Sequence, residues 1–214
     1  MQLTLTTHIA GRKTVADWNE LKASLADFNN TNLWTTAYND FYITRLNDRY
    51  LNPIKSIKQD GGYTGEGFSI MTIICSLIEF LETTYQGKNY RYRRNGDPQL
   101  GPYEYGASVQ IFIDFLNNRK PFNTQFNTQD ADDFYKNIRC GLLHEARTNG
   151  NWTIWGNSGN GTLLKKTANE TIIYRDDFFD ALLEFINTNY KAVLLSSADR
   201  KEAFIRKFDA LCEE

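Results

Sequence analysis

Residues 68–85 are apolar on nearly every side of a helical wheel, and this stretch constrains the fold more than any other part of the chain. A helix with no polar face must be wrapped by other elements, so it predicts a core around which further helices pack. Those helices are legible as 3.6-residue periods. Residues 14–28 carry Val15, Trp18, Leu21, Leu25 and Phe28, with Thr14 placed to cap the N-terminus. Residues 34–54 repeat the pattern through Tyr38, Phe41, Tyr42, Leu46 and Tyr50, with Arg45 and Arg49 among them and Pro53 marking the expected end. Residues 103–116, 130–147, 176–195 and 199–212 give four more helices, for about seven in all.

Only two short segments favour strands, residues 152–155 and 171–174. A loop rich in Gly, Asn and Ser joins them and suits a hairpin. The expected fold class is therefore mainly α, a helical bundle with one small β-hairpin inserted near 151–175. At 214 residues, with no repeat, low-complexity tract or Pro/Ser-rich linker, the chain reads as one domain over 1–214. The glycine-rich stretch 61–67 reads as a hinge: no strand precedes it and no Gly-Lys-Ser/Thr follows, so it is no phosphate-cradling P-loop.

Composition then removes whole classes of function. With 41% hydrophobic and 23% charged residues the chain is of globular type. No run approaches the ~20 apolar residues that cross a bilayer, and no basic-then-apolar leader opens the sequence, which predicts a cytoplasmic protein with no membrane role. Cys75, Cys140 and Cys212 are odd in number and far apart, so they form no disulfide framework or zinc cluster. Two histidines, His8 and His144, exclude His-rich metal sites. A net charge of −2 requires any polyanion to be bound by a local patch.

Such patches are readable in two places. On the fifth helix, Phe134, Tyr135, Ile138, Leu142 and Ala146 gather into the core-facing arc, whereas Arg139 and His144 fall off it, with Cys140, Leu143 and Arg147 between them. A leucine beside cationic and proton-transferring groups predicts that something covers this face, either the β ribbon or a second copy of the chain.

The run Arg139-Cys140-Gly141-Leu142-Leu143-His144, an arginine, four residues and a histidine late in a core helix, resembles the signature of the HEPN superfamily (higher eukaryotes and prokaryotes nucleotide-binding). The resemblance covers about a dozen residues. It implies an α-helical bundle that dimerises and, in many members, a metal- and cofactor-free ribonuclease working in toxin, phage-defence or CRISPR-associated settings, where an antitoxin or defence partner accompanies it. Arg139 and His144 take the catalytic positions and Arg147 adds a cation for substrate. Cys140 departs from the Asn, Asp or His that often follows the arginine in active members, and this points to a non-catalytic scaffold that binds RNA, a nucleotide or a protein as the alternative.

The residue types suit the chemistry. Cleavage of RNA without metal uses the 2′-hydroxyl as nucleophile, and an imidazole, with pKa near ~6.5 in water, can take its proton at neutral pH. A guanidinium holds the developing negative charge on the phosphoryl oxygens and never loses its own. Five residues span about 140° on an ideal helix, so one straight helix does not aim both groups together, whereas two pairs around a dimer seam share one cleft. The competing assignment pairs Arg139 with an acidic group such as Asp132 and leaves His144 in local packing.

The second patch is Lys88-Asn89-Tyr90-Arg91-Tyr92-Arg93-Arg94, where cations alternate with aromatic rings. Lys88, Arg91, Arg93 and Arg94 can meet phosphates while tyrosines stack on unpaired bases, as single-stranded RNA requires. An exposed basic loop favouring the negative end of the preceding helix is the plainer reading. Glu79 and Glu82, three apart on the third helix, read as a polar stripe.

Overall fold

The computed structural model describes residues 3–62 and 65–213, and among these the chain winds into seven helices. Thr14, in extended backbone, accepts from the Asp17 amide while the Asp17 carboxylate accepts from the Thr14 amide at 2.7 Å. This capping box opens α1 (Val15–Ser24) where the sequence places it. Helix α2 covers 31–60 and starts on Asn30, whose side chain accepts from the Leu33 amide. Pro53 lies inside α2 and does not end it. Wide i→i+5 turns at 37–43 and 47–51 precede the proline; the second opens the hydrogen-bond ladder where its ring and missing N–H would clash with a regular one.

Helix α3 (Glu66–Gln86) is the apolar segment, with Ile70, Met71, Ile74, Leu77, Ile78 and Leu81 fully buried. It is long and apolar enough to cross a membrane, which corrects the expectation that no segment is; 61% of its most apolar window is buried inside the fold, as in a core helix. Tyr63 and Thr64, in the stretch read as a hinge, lie outside the described residues. Helix α4 (Val109–Asn118) begins later than its periodicity indicates, because the amides of Asn89 and Arg91 bond the carbonyls of Tyr103 and Tyr105 and hold that segment extended. Helices α5 (128–145), α6 (175–196) and α7 (Ala198–Glu213) follow, the first two each containing one wide turn, at 135–140 and 185–190.

The strands are short. β1 (His8–Ala10) pairs antiparallel with β2 (Lys13–Thr14), and β3 (Asn89–Tyr90) pairs parallel with β4 (Glu104–Tyr105). The strands read from sequence, β5 (Trp152–Trp155) and β7 (Thr171–Tyr174), do lie side by side, but in parallel. The hairpin is made by an unforeseen strand, β6 (Leu164–Lys166), antiparallel to the other edge of β7. A strand inside the connecting loop reverses the chain once more, and that extra reversal makes the outer pair parallel.

The chain gathers into two compact units: 1–53, 83–106 and 190–214 in one, 54–82 and 107–189 in the other. Each has its own aromatic core. In the first, Trp18 meets Phe41 edge to face at 5.3 Å, Phe204 stacks on Phe208 at 4.6 Å, and Tyr42 reaches Tyr190 at 5.1 Å. In the second, Phe134 stacks on Phe178 at 5.5 Å, and Phe115 contacts both Phe122 and Phe185 at 5.0 Å. Such pairs add about 0.5–1.5 kcal/mol each beyond the area they bury.

Candidate functional site

Helix α5 belongs to the second unit and is held there by Ala131, Phe134, Ile138 and Leu142, buried at spacings of three and four. This stripe fixes the rotation of the helix and therefore what its other side presents. Arg139 and Cys140 come out half-buried; Leu143, at 48% exposure, and His144 face solvent.

Arg139 is lodged between two neighbours. Its Nη2 lies 3.9 Å from Glu79 Oε2 on α3, and its guanidinium carbon sits 5.4 Å from the centre of the Tyr135 ring one turn back. Asp132 is not its partner; that carboxylate takes Lys136 at 2.5 Å. Tyr135 is itself placed by its hydroxyl, 3.4 Å from the Ser108 hydroxyl. At 3.9 Å the Arg139–Glu79 contact is an ion pair without a hydrogen bond, so Glu79 engages the charge of the guanidinium and not its N–H donors. Cys75, one turn before Glu79, is buried, and burial pushes its thiol well above the usual range while Arg139 opposes the shift.

The end of α5 is tightly built. Arg139 lies in the wide turn 135–140 and His144 in the regular turn after it. A wide turn spends more residues per revolution, which narrows the angular gap below that of a uniform helix. The helix stops at Ala146, a left-handed residue with φ 53°, whose amide bonds the Gly141 carbonyl. Arg147 lies beyond it, exposed, which corrects its expected place on the helix. The chain then folds back so closely that a Cβ on Gly141 would stand 2.5 Å from the Arg147 carbonyl oxygen, and the Asn149 amide bonds the Asn137 carbonyl at 2.9 Å.

The basic segment belongs to the first unit. Arg91 is taken up by the fold: Nε donates to Glu104 at 2.8 Å and Nη2 to the Gln99 carbonyl at 2.8 Å. The Gly101 amide, foremost, and then Arg91 hold the Glu104 carboxyl below the usual carboxylate range. Arg93 donates to Gln99 Oε1 at 2.5 Å, the Arg94 amide donates to Asp97 at 2.6 Å, and both arginine side chains are exposed. Lys88 is half-buried, its carbonyl accepting from Lys207 Nζ at 3.0 Å. The structure thus brings Arg139 and His144 onto one helix, Arg147 just past it, and the Lys88 to Arg94 cations onto the other unit.

Glu79 and Glu82 have larger roles than a polar stripe. Glu82 is fully buried and forms a two-pronged pair with Arg119, Nε at 2.9 Å and Nη2 at 2.8 Å. The signal was present in the sequence, since two carboxylates on an otherwise apolar core helix must find cations. Among the described residues no three His, Cys, Asp or Glu side chains gather closely enough to hold a metal ion. No protein-family model, curated protein or solved structure matches the chain.

Proposed function

We propose that this protein is a HEPN-type endoribonuclease that cleaves single-stranded RNA without a metal, using Arg139 and His144. The observation that carries the reading is the division of labour on α5. A guanidinium is held in place by Glu79 and Tyr135 with donors to spare, and an imidazole is open to solvent one turn later. In the reaction His144 takes the 2′-hydroxyl proton, the 2′-oxygen attacks the phosphorus, and the bond to the 5′-oxygen breaks. That oxygen leaves with a proton from a second acid, and the products are a 2′,3′-cyclic phosphate and a 5′-hydroxyl. Arg139 neutralises the charge that builds on the non-bridging oxygens, and Arg147 meets the phosphate backbone.

The second acid is the His144 of another copy in a homodimer. The exposed Leu143 beside His144 supplies the apolar contact such a seam needs. The reading places the protein in the cytoplasm, in a toxin or defence setting with an antitoxin or defence partner. The test is cleavage of single-stranded RNA in EDTA by the parent, His144→Ala and Arg139→Ala. Loss of activity in both variants supports the assignment, and equal cleavage by all three removes it. A second reading, a HEPN-like scaffold that binds RNA without turnover, is favoured by one observation: Glu79 already neutralises Arg139, and Cys140 stands beside it. Binding without products in that assay selects it.

A further inference from the structure

We propose that the exposed tyrosines of residues 88–105, the segment that holds the β3–β4 pair, form a stacking platform for an unpaired RNA strand. Seven large hydrophobic residues are exposed among the described residues, and three of them, Tyr90 (53%), Tyr92 (68%) and Tyr103 (47%), fall within this one segment. The pairing places one of the rings. Tyr90 sits opposite Tyr105 in register, with ring centres 5.6 Å apart, and Tyr103 precedes Tyr105 by two residues. Arg91 and Arg93 both turn to Gln99, and Tyr92, two residues past the end of β3, stands exposed between these two arginines in the chain.

The charge around the rings fits a polyanion. Residues 88–105 hold four cations and two carboxylates, and both carboxylates are engaged inside the loop, Glu104 by Gly101 and Arg91, Asp97 by the Arg94 amide. Within this segment the outward charge is cationic, Arg93 and Arg94 being exposed; beside it the Arg206 guanidinium lies 3.9 Å from the centre of the Tyr103 ring and 3.8 Å from the exposed Glu202 carboxylate. Exposed aromatic rings close together in one short segment, with arginines between and after them, let bases stack while phosphates meet the cations. A duplex keeps its base faces covered and offers the rings nothing.

RNA as occupant rests on the nuclease reading, and the test separates the two. The full chain carrying His144→Ala, which keeps RNA intact, is titrated into a labelled oligouridine and followed by fluorescence anisotropy. Tyr90→Ala and Tyr92→Ala each weaken binding about tenfold, Tyr92→Phe keeps it, and a duplex RNA of the same length binds at least as weakly as the alanine variants. Unchanged binding by alanine variants that melt like the parent overturns the proposal. So does equal binding of the duplex, or loss of self-association in place of RNA binding. Cleavage by the parent with tyrosine-indifferent binding sinks the platform alone, whereas tyrosine-dependent binding with no cleavage sinks the nuclease reading alone.

Discussion

Arg139 on α5 and Glu79 on α3 approach to 3.9 Å, close enough for their charges to hold each other and too far for a hydrogen bond. The pair is only partly buried, so it contributes about 1 kcal/mol or less to stability. In the proposed reaction the pair keeps the guanidinium in place. Glu79→Gln is expected to leave the melting temperature nearly unchanged and to lower kcat for RNA several-fold with little change in KM. A fall in KM with kcat intact would show that Glu79 merely competes with phosphate.

Glu82 and Arg119 behave oppositely, because Glu82 is fully enclosed. Arg119→Met takes the two-pronged partner from a buried carboxylate and is expected to cost about 3–5 kcal/mol in urea unfolding. Replacing both residues by apolar ones of similar size recovers most of that loss. Equal destabilisation by the single and double changes would mean the pair is not the source.

The turn that ends α5 gives a contrasting pair of substitutions. Gly141→Ala sets a Cβ against the Arg147 carbonyl, backbone that cannot easily yield, and is expected to destabilise by about 1–3 kcal/mol and impair cleavage by displacing the His144 turn. Ala146→Gly relieves a left-handed alanine and is expected to stabilise by about 0.5–1 kcal/mol. Thermal melts of both variants check the signs.

Much of this architecture is legible in the sequence, for local reasons. The Thr14 cap, the apolar α3 and the bounds of α6 and α7 follow from side-chain spacing, which the helix reports directly. What escapes is set by distant chain. Glu79 finds Arg139 sixty residues on, and periodicity says nothing of that choice. The strand Leu164–Lys166 carries two lysines where a β pattern would alternate, so it gives no signal, and without it the β5–β7 pair reads as a hairpin. Pro53 and Ala146 each defy a local rule, one tolerated by a wide turn and the other ending a helix where glycine is usual. Of the site, the Arg139 and His144 spacing is readable; the Glu79 and Tyr135 setting around Arg139 is not.

The loop that displays the tyrosines depends on pH through Glu104. Its carboxyl is held below the usual value by the Gly101 amide and Arg91, so the ionised form is the one the folded loop prefers. The contribution is complete above the ordinary value of 4.5 and is lost as pH falls through the lower folded value. The protection factor of the Arg91 amide, corrected for intrinsic exchange, is therefore expected to fall only in that acid range. A Glu104 carboxyl that titrates by NMR at or above 4.5 would contradict this.

If His144 on α5 moves the proton and Arg139 neutralises the phosphoryl oxygens, the cut ends of the RNA carry the signature of that chemistry. Single-stranded RNA incubated with the protein in EDTA should yield fragments ending in 2′,3′-cyclic phosphate and beginning with 5′-hydroxyl, resolved by mass spectrometry, with none formed by His144→Ala. Intact RNA after prolonged incubation with the parent, or the same ends from His144→Ala, would rule this chemistry out.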